Sequence, residues 1–293
     1  MKNLFNASFE QSIKLLDDQL IIYMIEKGDP KSLRSRPILN TFFSIVIFSI
    51  IYLISRLFYH QDPNSPVGRA EINFFPSWLV AMFLFLWLLC IVFIKRFVYK
   101  EISQVVFLLN ANNLLIIMLL SANLLCITFF LKPLTLIGLT VLLGLVLLVS
   151  CVIFINKKRS IEYVLYGTGR KKDMLEMLVE KAIKYGWIVV IVVMVWKIVF
   201  PDSDEVRIDF VGFISTLGLW IAMNIVMIFG EAYLFFPYLL HGYYKHKYSE
   251  EYRNREGKSQ LEWYGEKYFM KHIKGTAMEE VSHREIKLFV QRK

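Results

Sequence analysis

The sequence predicts an all-α, polytopic integral membrane protein of about six transmembrane helices, with an N-terminal amphipathic interfacial helix and a cytoplasmic tail. The first observation is a series of long apolar runs that carry almost no charge. The second is a hydrophobic content of 56% and a mean hydropathy of +0.48, both above the values of soluble domains. The third is that most basic residues lie between the apolar runs rather than inside them, as in proteins that cross a bilayer.

Most of the apolar runs have the length that a bilayer requires. About 20 residues at a rise of about 1.5 Å cross a hydrocarbon core of about 30 Å, whereas a soluble helix carries one apolar stripe with polar residues between. The runs are Ile38–Tyr59, Ser77–Ile94, Leu114–Leu131, Leu134–Ile155, Gly186–Phe200 and Phe210–Phe229. Only Lys132–Pro133 separates the third run from the fourth, so we expect these two helices to be antiparallel neighbours.

The distribution of Lys and Arg predicts how the chain is oriented. With the N-terminus inside, 29 of the 34 basic residues fall on the cytoplasmic side and three fall in the outer loops. Because cytoplasmic loops retain Lys and Arg, we expect a multi-pass protein of the cell membrane with both termini in the cytoplasm. The net charge of +9 is then explained by a basic inner face beside anionic lipid, and no nucleic acid partner is predicted.

The N-terminal segment, residues 1–37, is predicted to be a cytoplasmic amphipathic element. Ser8 begins a capping box, while Gly28 and Pro30 are typical of a helix end. Between them, apolar residues recur at three- and four-residue steps. We therefore expect one helix from about Ser8 to Lys27, lying on the inner membrane surface or on a partner.

Two further cytoplasmic elements are predicted around the bundle, which extends over residues 38–240. An interfacial helix is expected at 157–185, and its amphipathic part is Arg170–Tyr185. This part fits an elbow that sets the angle of the next span, and it equally fits a coupling helix that docks a cytoplasmic subunit. The tail, residues 241–293, is basic and aromatic with few aliphatic side chains, so we expect no independent core there.

Part of the tail resembles a known group of membrane proteins. The stretch Ser249–Gly275 contains the strings EEYR and EWYGEKY. It is similar to tails of polytopic proteins of Gram-positive bacteria, among them the tandem five-transmembrane family, some of which act as immunity partners of secreted membrane-targeting toxins. The resemblance covers 27 of 293 residues and implies a protective binding protein. Six predicted spans depart from the five of that family, and the resemblance assigns no functional residue.

Polar side chains within the apolar runs, or one or two residues beyond their ends, are the candidate site residues. Asn112 and Asn123 are eleven positions apart, and Asn224 and Glu231 are seven apart, so each pair shares one helix face. Amides in bundles usually hydrogen-bond to neighbouring helices; the alternative is a pathway for a solute or an ion. We expect Glu231 at the cytoplasmic end of the sixth span, facing the bundle, with Asn224 or an amide of the third span as its partner.

The sequence contains no pattern of a catalytic or metal-binding site. Its five histidines form no HExxH motif, its three cysteines have no zinc-ligand spacing, and no glycine-rich nucleotide loop is present. We therefore expect no enzymatic activity, no cofactor and no metal. The predicted function is binding, as in immunity against a membrane-active toxin. The alternative is a permease-type subunit of an exporter that works with a separate ATPase subunit.

Overall fold

The computed structural model is helical wherever it describes regular structure. The described residues are 3–27, 37–59, 72–95, 98–167, 177, 181, 210–276 and 278–280. The predicted all-α class is confirmed for this part of the chain. Two helices in it, Ser103–Tyr166 and Gly212–Lys247, are long and apolar enough to cross a membrane. The predicted span Gly186–Phe200 lies outside the described residues.

The N-terminal segment is helical, but it is not one continuous helix. It contains α1 (Phe9–Ile13), a 3-10 turn (Lys14–Asp17) and α2 (Gln19–Lys27). The predicted capping box is present, because Ser8 and Gln11 each accept a hydrogen bond from the other's backbone N–H. The expectation of an unbroken helix is wrong at Asp18, which has an extended ψ of 116°. The Asp18 carboxylate accepts a hydrogen bond from the Leu20 N–H at 2.9 Å, and such local bonds compete with a continuing helix.

Two apolar helices follow, and they match the first two predicted runs. They are α3 (Pro37–Tyr59) and α4 (Ser77–Lys95). Both pack against each other and against the next helix. The residues just before α4 contact the next helix of the chain, because the Phe74 N–H donates to the Thr128 hydroxyl at 3.0 Å.

Helix α5 (Ser103–Tyr166) is folded back on itself. It contains 64 residues and is interrupted at Thr135, whose φ of 61° and ψ of 166° are not helical. A straight helix of this length would be roughly 96 Å long. Ile102 before its first residue and Leu165 near its last nevertheless belong to one buried cluster. The two ends therefore meet, and α5 is a helical hairpin.

The hairpin has two arms, residues 103–134 and 136–166, joined at Thr135. Near the turn, Phe130 of the first arm and Leu139 of the second pack in one cluster. The prediction that the third and fourth runs are antiparallel neighbours is thereby confirmed.

Both arms extend eleven residues beyond their predicted runs, toward the open end of the hairpin. The sequence predicts an interfacial helix at 157–185, but residues 157–166 continue the second arm. The physical reason is packing, because Ile161 and Leu165 are buried in a core shared with other segments. Within 168–185 only Met177 and Lys181 are described, and both are helical.

The last long helix contains a wider turn. Helix α6 (Phe210–Gly230) continues through a π turn (Glu231–Phe235) into α7 (Phe236–Lys247). In this turn the Phe236 N–H bonds to the Glu231 carbonyl, five residues back. Pro237 follows directly and cannot donate a backbone hydrogen bond, which explains why the regular pattern is interrupted here.

The tail forms three short helices, and its apolar side chains pack in a core that it shares with three other segments. The tail helices are α8 (Ser249–Arg255), α9 (Gln260–Tyr264) and α10 (Glu266–His272). The shared core joins the N-terminal segment, the open end of the hairpin, α7 and the tail, and it includes Ala7, Leu15, Ile102, Leu165, Tyr252 and Trp263. The tail thus contributes to a common core, whereas the sequence predicted only that it would have no independent core.

Candidate functional site

The four predicted polar residues lie in one interface, between the first arm of the hairpin and the helix formed by α6 and the π turn. Asn112 and Asn224 are buried, with 6% and 5% of their surface exposed. Asn123 pairs with Asn224, and the Asn112 side chain lies beside the Glu231 carboxyl group. The shared helix face that the sequence predicted for Asn112 and Asn123 is therefore confirmed. The interface holds two polar contacts at different depths.

The first contact is a closed set of hydrogen bonds, here called the amide pair, between Asn123 and Asn224. Each Nδ2 donates to the other residue's Oδ1 at 2.9 Å. The Trp220 indole Nε1–H also donates to Asn123 Oδ1, at 2.6 Å, and Asn224 Nδ2 reaches the Trp220 carbonyl at 3.0 Å. Sequence reasoning missed Trp220, although its position four residues before Asn224 places both side chains on one face. The amide pair joins the two helices.

The second contact is between Asn112 and Glu231, and two of its acceptor atoms receive no hydrogen bond within the described part of the chain. Glu231 opens the π turn and is half-buried beside Asn112. Among the described residues, neither Glu231 Oε1 nor Asn112 Oδ1 has a hydrogen-bond partner. Of the two partners expected for Glu231, Asn224 is engaged by Asn123, and the third-span amide Asn112 lies beside the carboxyl group instead.

The depth of each contact follows from the length of the first arm. Counted from Thr135 at about 1.5 Å per residue, Asn123 lies about 18 Å and Asn112 about 34 Å along the helix. A hydrocarbon core is about 30 Å thick. In the predicted orientation, with the hairpin turn at the outer surface, the amide pair would lie near the midplane and Glu231 near the inner boundary; this depth stays a prediction.

A buried ion pair lies next to the π turn. The Lys157 ammonium is 3.0 Å from the Asp18 carboxylate, and their side chains are only 1% and 10% exposed. The Lys157 nitrogen is also 5.2 Å from the centre of the Tyr233 ring, which belongs to the π turn. Sequence reasoning missed this pair, since its members are 139 positions apart. The pair fixes the N-terminal segment to the second arm at the level of the π turn.

Tyrosine hydroxyls hold the N-terminal segment on α7 and α8. Tyr244 accepts a hydrogen bond from the Ala7 N–H at 3.0 Å, and Tyr248 donates to the Ala7 carbonyl at 2.8 Å. The hydroxyls of Ser12 and Tyr252 are 3.0 Å apart. These partners are 237 to 241 positions apart in the chain, so no local pattern could have predicted them.

Four charged side chains form a closed ring of ion pairs, here called the charge ring. Lys245 contacts Glu101 at 2.9 Å and Glu256 at 3.2 Å. Lys258 contacts the same two carboxylates at 3.0 Å and 2.7 Å. Both ammonium groups also lie over the indole of Trp263, at 4.9 Å and 5.5 Å. The ring therefore joins the tail, α7 and the segment before the hairpin.

The charge ring shifts the pKa values of Glu101 and Lys258. Burial disfavours the charged form of Glu101, but hydrogen bonds from Lys245 and Lys258 outweigh it, and the net pKa of Glu101 is lowered. Burial likewise disfavours the charged form of Lys258, yet its carboxylate partners raise its net pKa. Both groups therefore keep their charge at neutral pH. Backbone bonds add to this contact, because Lys100 and Glu101 donate to the carbonyls of Tyr264 and Trp263.

The polar contacts described above are hydrogen bonds and ion pairs between helices and segments. In this part of the chain, no group of three or more His, Cys, Asp or Glu side chains is placed to hold a metal ion. Comparison with known proteins finds no matching protein family, no matching curated protein and no matching solved structure.

Proposed function

We propose that this chain is a multi-pass cell-membrane protein that acts by binding another polypeptide, and that it protects the cell against a membrane-active toxin. The observation that carries the binding role is the amide pair. Asn123, Asn224 and Trp220 use their polar groups on one another, which stabilises a bundle rather than supplying a reactive group. The resemblance of Ser249–Gly275 to tails of immunity proteins supports the choice of a toxin as the partner.

The shared core supports the proposed topology of six spans with both termini in the cytoplasm. Residues 3–27 and the tail pack in one core, so both must lie on the same side of any bilayer. This requires an even number of passes. Helices α3, α4, the two arms and α6 would make five, and the sixth would be the span that the sequence predicts at Gly186–Phe200, which lies outside the described residues.

A second candidate, the permease-type subunit of an exporter, is favoured by a different observation. The N-terminal segment, the open end of the hairpin and the tail form one packed unit. The surface of such a unit suits the docking of a separate ATPase subunit. The predicted coupling helix Arg170–Tyr185 falls almost entirely outside the described residues.

A protection assay tests the proposed function. The full chain is expressed in a Gram-positive host that lacks it, and the cells are challenged with membrane-active polypeptide toxins. We expect the inhibitory concentration of at least one toxin to rise several-fold over the empty vector. The toxin should then be captured with the protein from membranes in mild detergent.

Depletion of ATP separates the two candidates. A binding protein retains the toxin in membranes of ATP-depleted cells, since no energy input is needed. An exporter subunit loses its protective effect under the same treatment, and it copurifies with an ATPase subunit. Protection against none of the toxins, with an ATPase as the captured partner, would overturn the immunity proposal in favour of the permease.

A further inference from the structure

Two unsatisfied acceptors meet where the π turn faces the first arm. Asn112 is buried, with 6% of its surface exposed. Its Oδ1 has no hydrogen-bond partner among the described residues. Glu231 Oε1, on the neighbouring carboxyl group, likewise has no hydrogen-bond partner among the described residues. A buried acceptor left unpaired costs about 1–3 kcal/mol, so a site with two of them needs an explanation.

The chemistry of the two side chains indicates what is missing. An ionised carboxylate offers only acceptors, whereas an amide offers two donors and one acceptor. The Asn112 amide N–H can serve one carboxylate oxygen, but it leaves its own Oδ1 and the second carboxylate oxygen without donors. One proton on Glu231 changes this balance, since the resulting O–H can donate to Asn112 Oδ1 while the amide N–H donates to the other oxygen. A single proton thus satisfies both atoms.

We propose that Glu231 and Asn112 form a proton-binding site at the inner end of the bundle, in which a neutral carboxylic acid and an amide make two reciprocal hydrogen bonds. The proton resides on Glu231, and Asn112 is a positioning residue that accepts from it. The proposal does not depend on the function assigned above.

The surroundings of the site favour a proton over a charged carboxylate. The side chains packed around the π turn from the N-terminal segment, the second arm and the turn itself are largely apolar, including Leu20, Ile153 and Ala232. Beside the π turn, Lys157 of the second arm and Asp18 of the N-terminal segment are paired with each other. Tyr233 of the π turn faces that Lys157 ammonium. The nearby cation is thus already matched by a carboxylate.

Infrared difference spectroscopy gives the direct test. The purified full chain in mild detergent is compared with Glu231→Gln at neutral pH, in H₂O and in D₂O. We expect the wild type to show the carbonyl stretch of a protonated carboxylic acid, with a deuterium shift, and we expect Glu231→Gln to lack it. Asn112→Leu should move the band, because the acid loses its hydrogen-bond partner. Exposed Glu251→Gln should leave the band unchanged.

Thermal unfolding supplies a second readout. Glu231→Gln imitates the protonated acid, so it should unfold at the wild-type temperature and lose part of the wild-type dependence on alkaline pH. Glu231→Ala should unfold at a lower temperature, since it leaves Asn112 unpaired. A wild-type spectrum without the Glu231 acid band would overturn the proposal. So would stabilisation of the wild type, but not of Glu231→Gln, by Na⁺ relative to choline, which would identify a metal cation as the occupant.

Discussion

The amide pair gives the first prediction at the scale of single residues. Asn123→Ala removes the acceptor of the Trp220 indole N–H and the two hydrogen bonds between Asn123 and Asn224, while the bond from Asn224 to the Trp220 carbonyl remains. Interhelical hydrogen bonds in membrane bundles contribute about 0.6 kcal/mol on average and up to about 1.7 kcal/mol. Since three bonds are lost, we expect Asn123→Ala to cost about 1–2 kcal/mol in reversible unfolding in mixed micelles.

A double-mutant cycle with Asn224→Ala should then give a coupling energy of about 1 kcal/mol, because the two residues share their bonds. Leu120→Ala serves as the control, as this first-arm residue is 49% exposed and should change stability far less. A coupling energy near zero would contradict the assigned geometry.

Gly242 gives the second prediction, because α7 approaches the first arm closely there. A Cβ at position 242 would lie 2.2 Å from Val105 Cγ1 and 2.9 Å from Cγ2. Overpacking of this kind typically costs about 1–3 kcal/mol. We expect Gly242→Ala to lower the unfolding temperature and the double variant with Val105→Ala to restore most of it.

Gly230→Ala is the matched control for Gly242→Ala, since nothing lies within 4 Å of its Cβ position. It should be neutral or slightly stabilising, because alanine favours helix. Equal losses for the two glycine variants would show that helix flexibility, rather than contact with Val105, determines the result.

The residue scale also shows what sequence reasoning can reach. The common face of Asn112 and Asn123 was predictable, because helical periodicity is a local property. The pairing of Asp18 with Lys157 was not, since it depends on how distant segments pack. The same holds for the orphaned acceptor of Asn112, which only its neighbours in space reveal.

At the scale of elements, the turn of the hairpin gives a third prediction. Thr135 has a φ of 61° and a ψ of 166°, a region that is essentially restricted to glycine and costs other residues about 1–3 kcal/mol. Glycine also makes the unfolded chain more flexible, and this entropy offsets about 0.5–1 kcal/mol of the stability gained by removing the strain. We therefore expect Thr135→Gly to stabilise the protein by about 1 kcal/mol in the same unfolding assay.

Thr140→Gly provides the comparison for Thr135→Gly. Thr140 is exposed and helical in the second arm, so glycine there should destabilise by up to about 1 kcal/mol. A loss of stability in both variants would mean that the hairpin turns with a different backbone geometry at position 135.

Element boundaries were predictable where local chemistry sets them. The capping box at Ser8 depends on adjacent residues and is present. The break predicted at Lys132–Pro133 is also present, but it lies at Thr135, and Pro133 stays within the helix of the first arm. The break at Asp18 and the extension of the second arm to Tyr166 were not predictable. Both are stabilised by the shared core and the ion pair with Lys157, which form only when the N-terminal segment and the hairpin meet.

At the scale of the whole molecule, the charge ring predicts a dependence on pH. The folded state lowers the pKa of Glu101, so its contribution is present above the ordinary carboxyl pKa and is lost as the pH falls through the lowered value. For a half-buried pair we expect about 1–2 kcal/mol, between the values for exposed and buried ion pairs. The protection factors of the backbone amides of residues 249–276, which correct the exchange rates for their intrinsic dependence on pH, should fall upon acidification.

Glu101→Gln tests this dependence directly. The variant should show faster exchange in the tail already at neutral pH, because Lys245 and Lys258 lose a shared partner. It should also lose part of the acid sensitivity. Exposed Glu266→Gln should leave exchange unchanged, and an identical pH profile for Glu101→Gln and the wild type would show that the ring does not hold the tail.

The last prediction concerns the orientation of the whole chain. With the native cysteines replaced, a cysteine near Asp204 should react with an impermeant maleimide in intact cells. A cysteine at exposed Leu261, close to Lys258, should react only after permeabilisation. The reason is the shared core, which keeps the N-terminal segment and the tail on one side, combined with the retention of basic residues in the cytoplasm. Labelling of Leu261→Cys in intact cells would refute this orientation, whatever the result near Asp204.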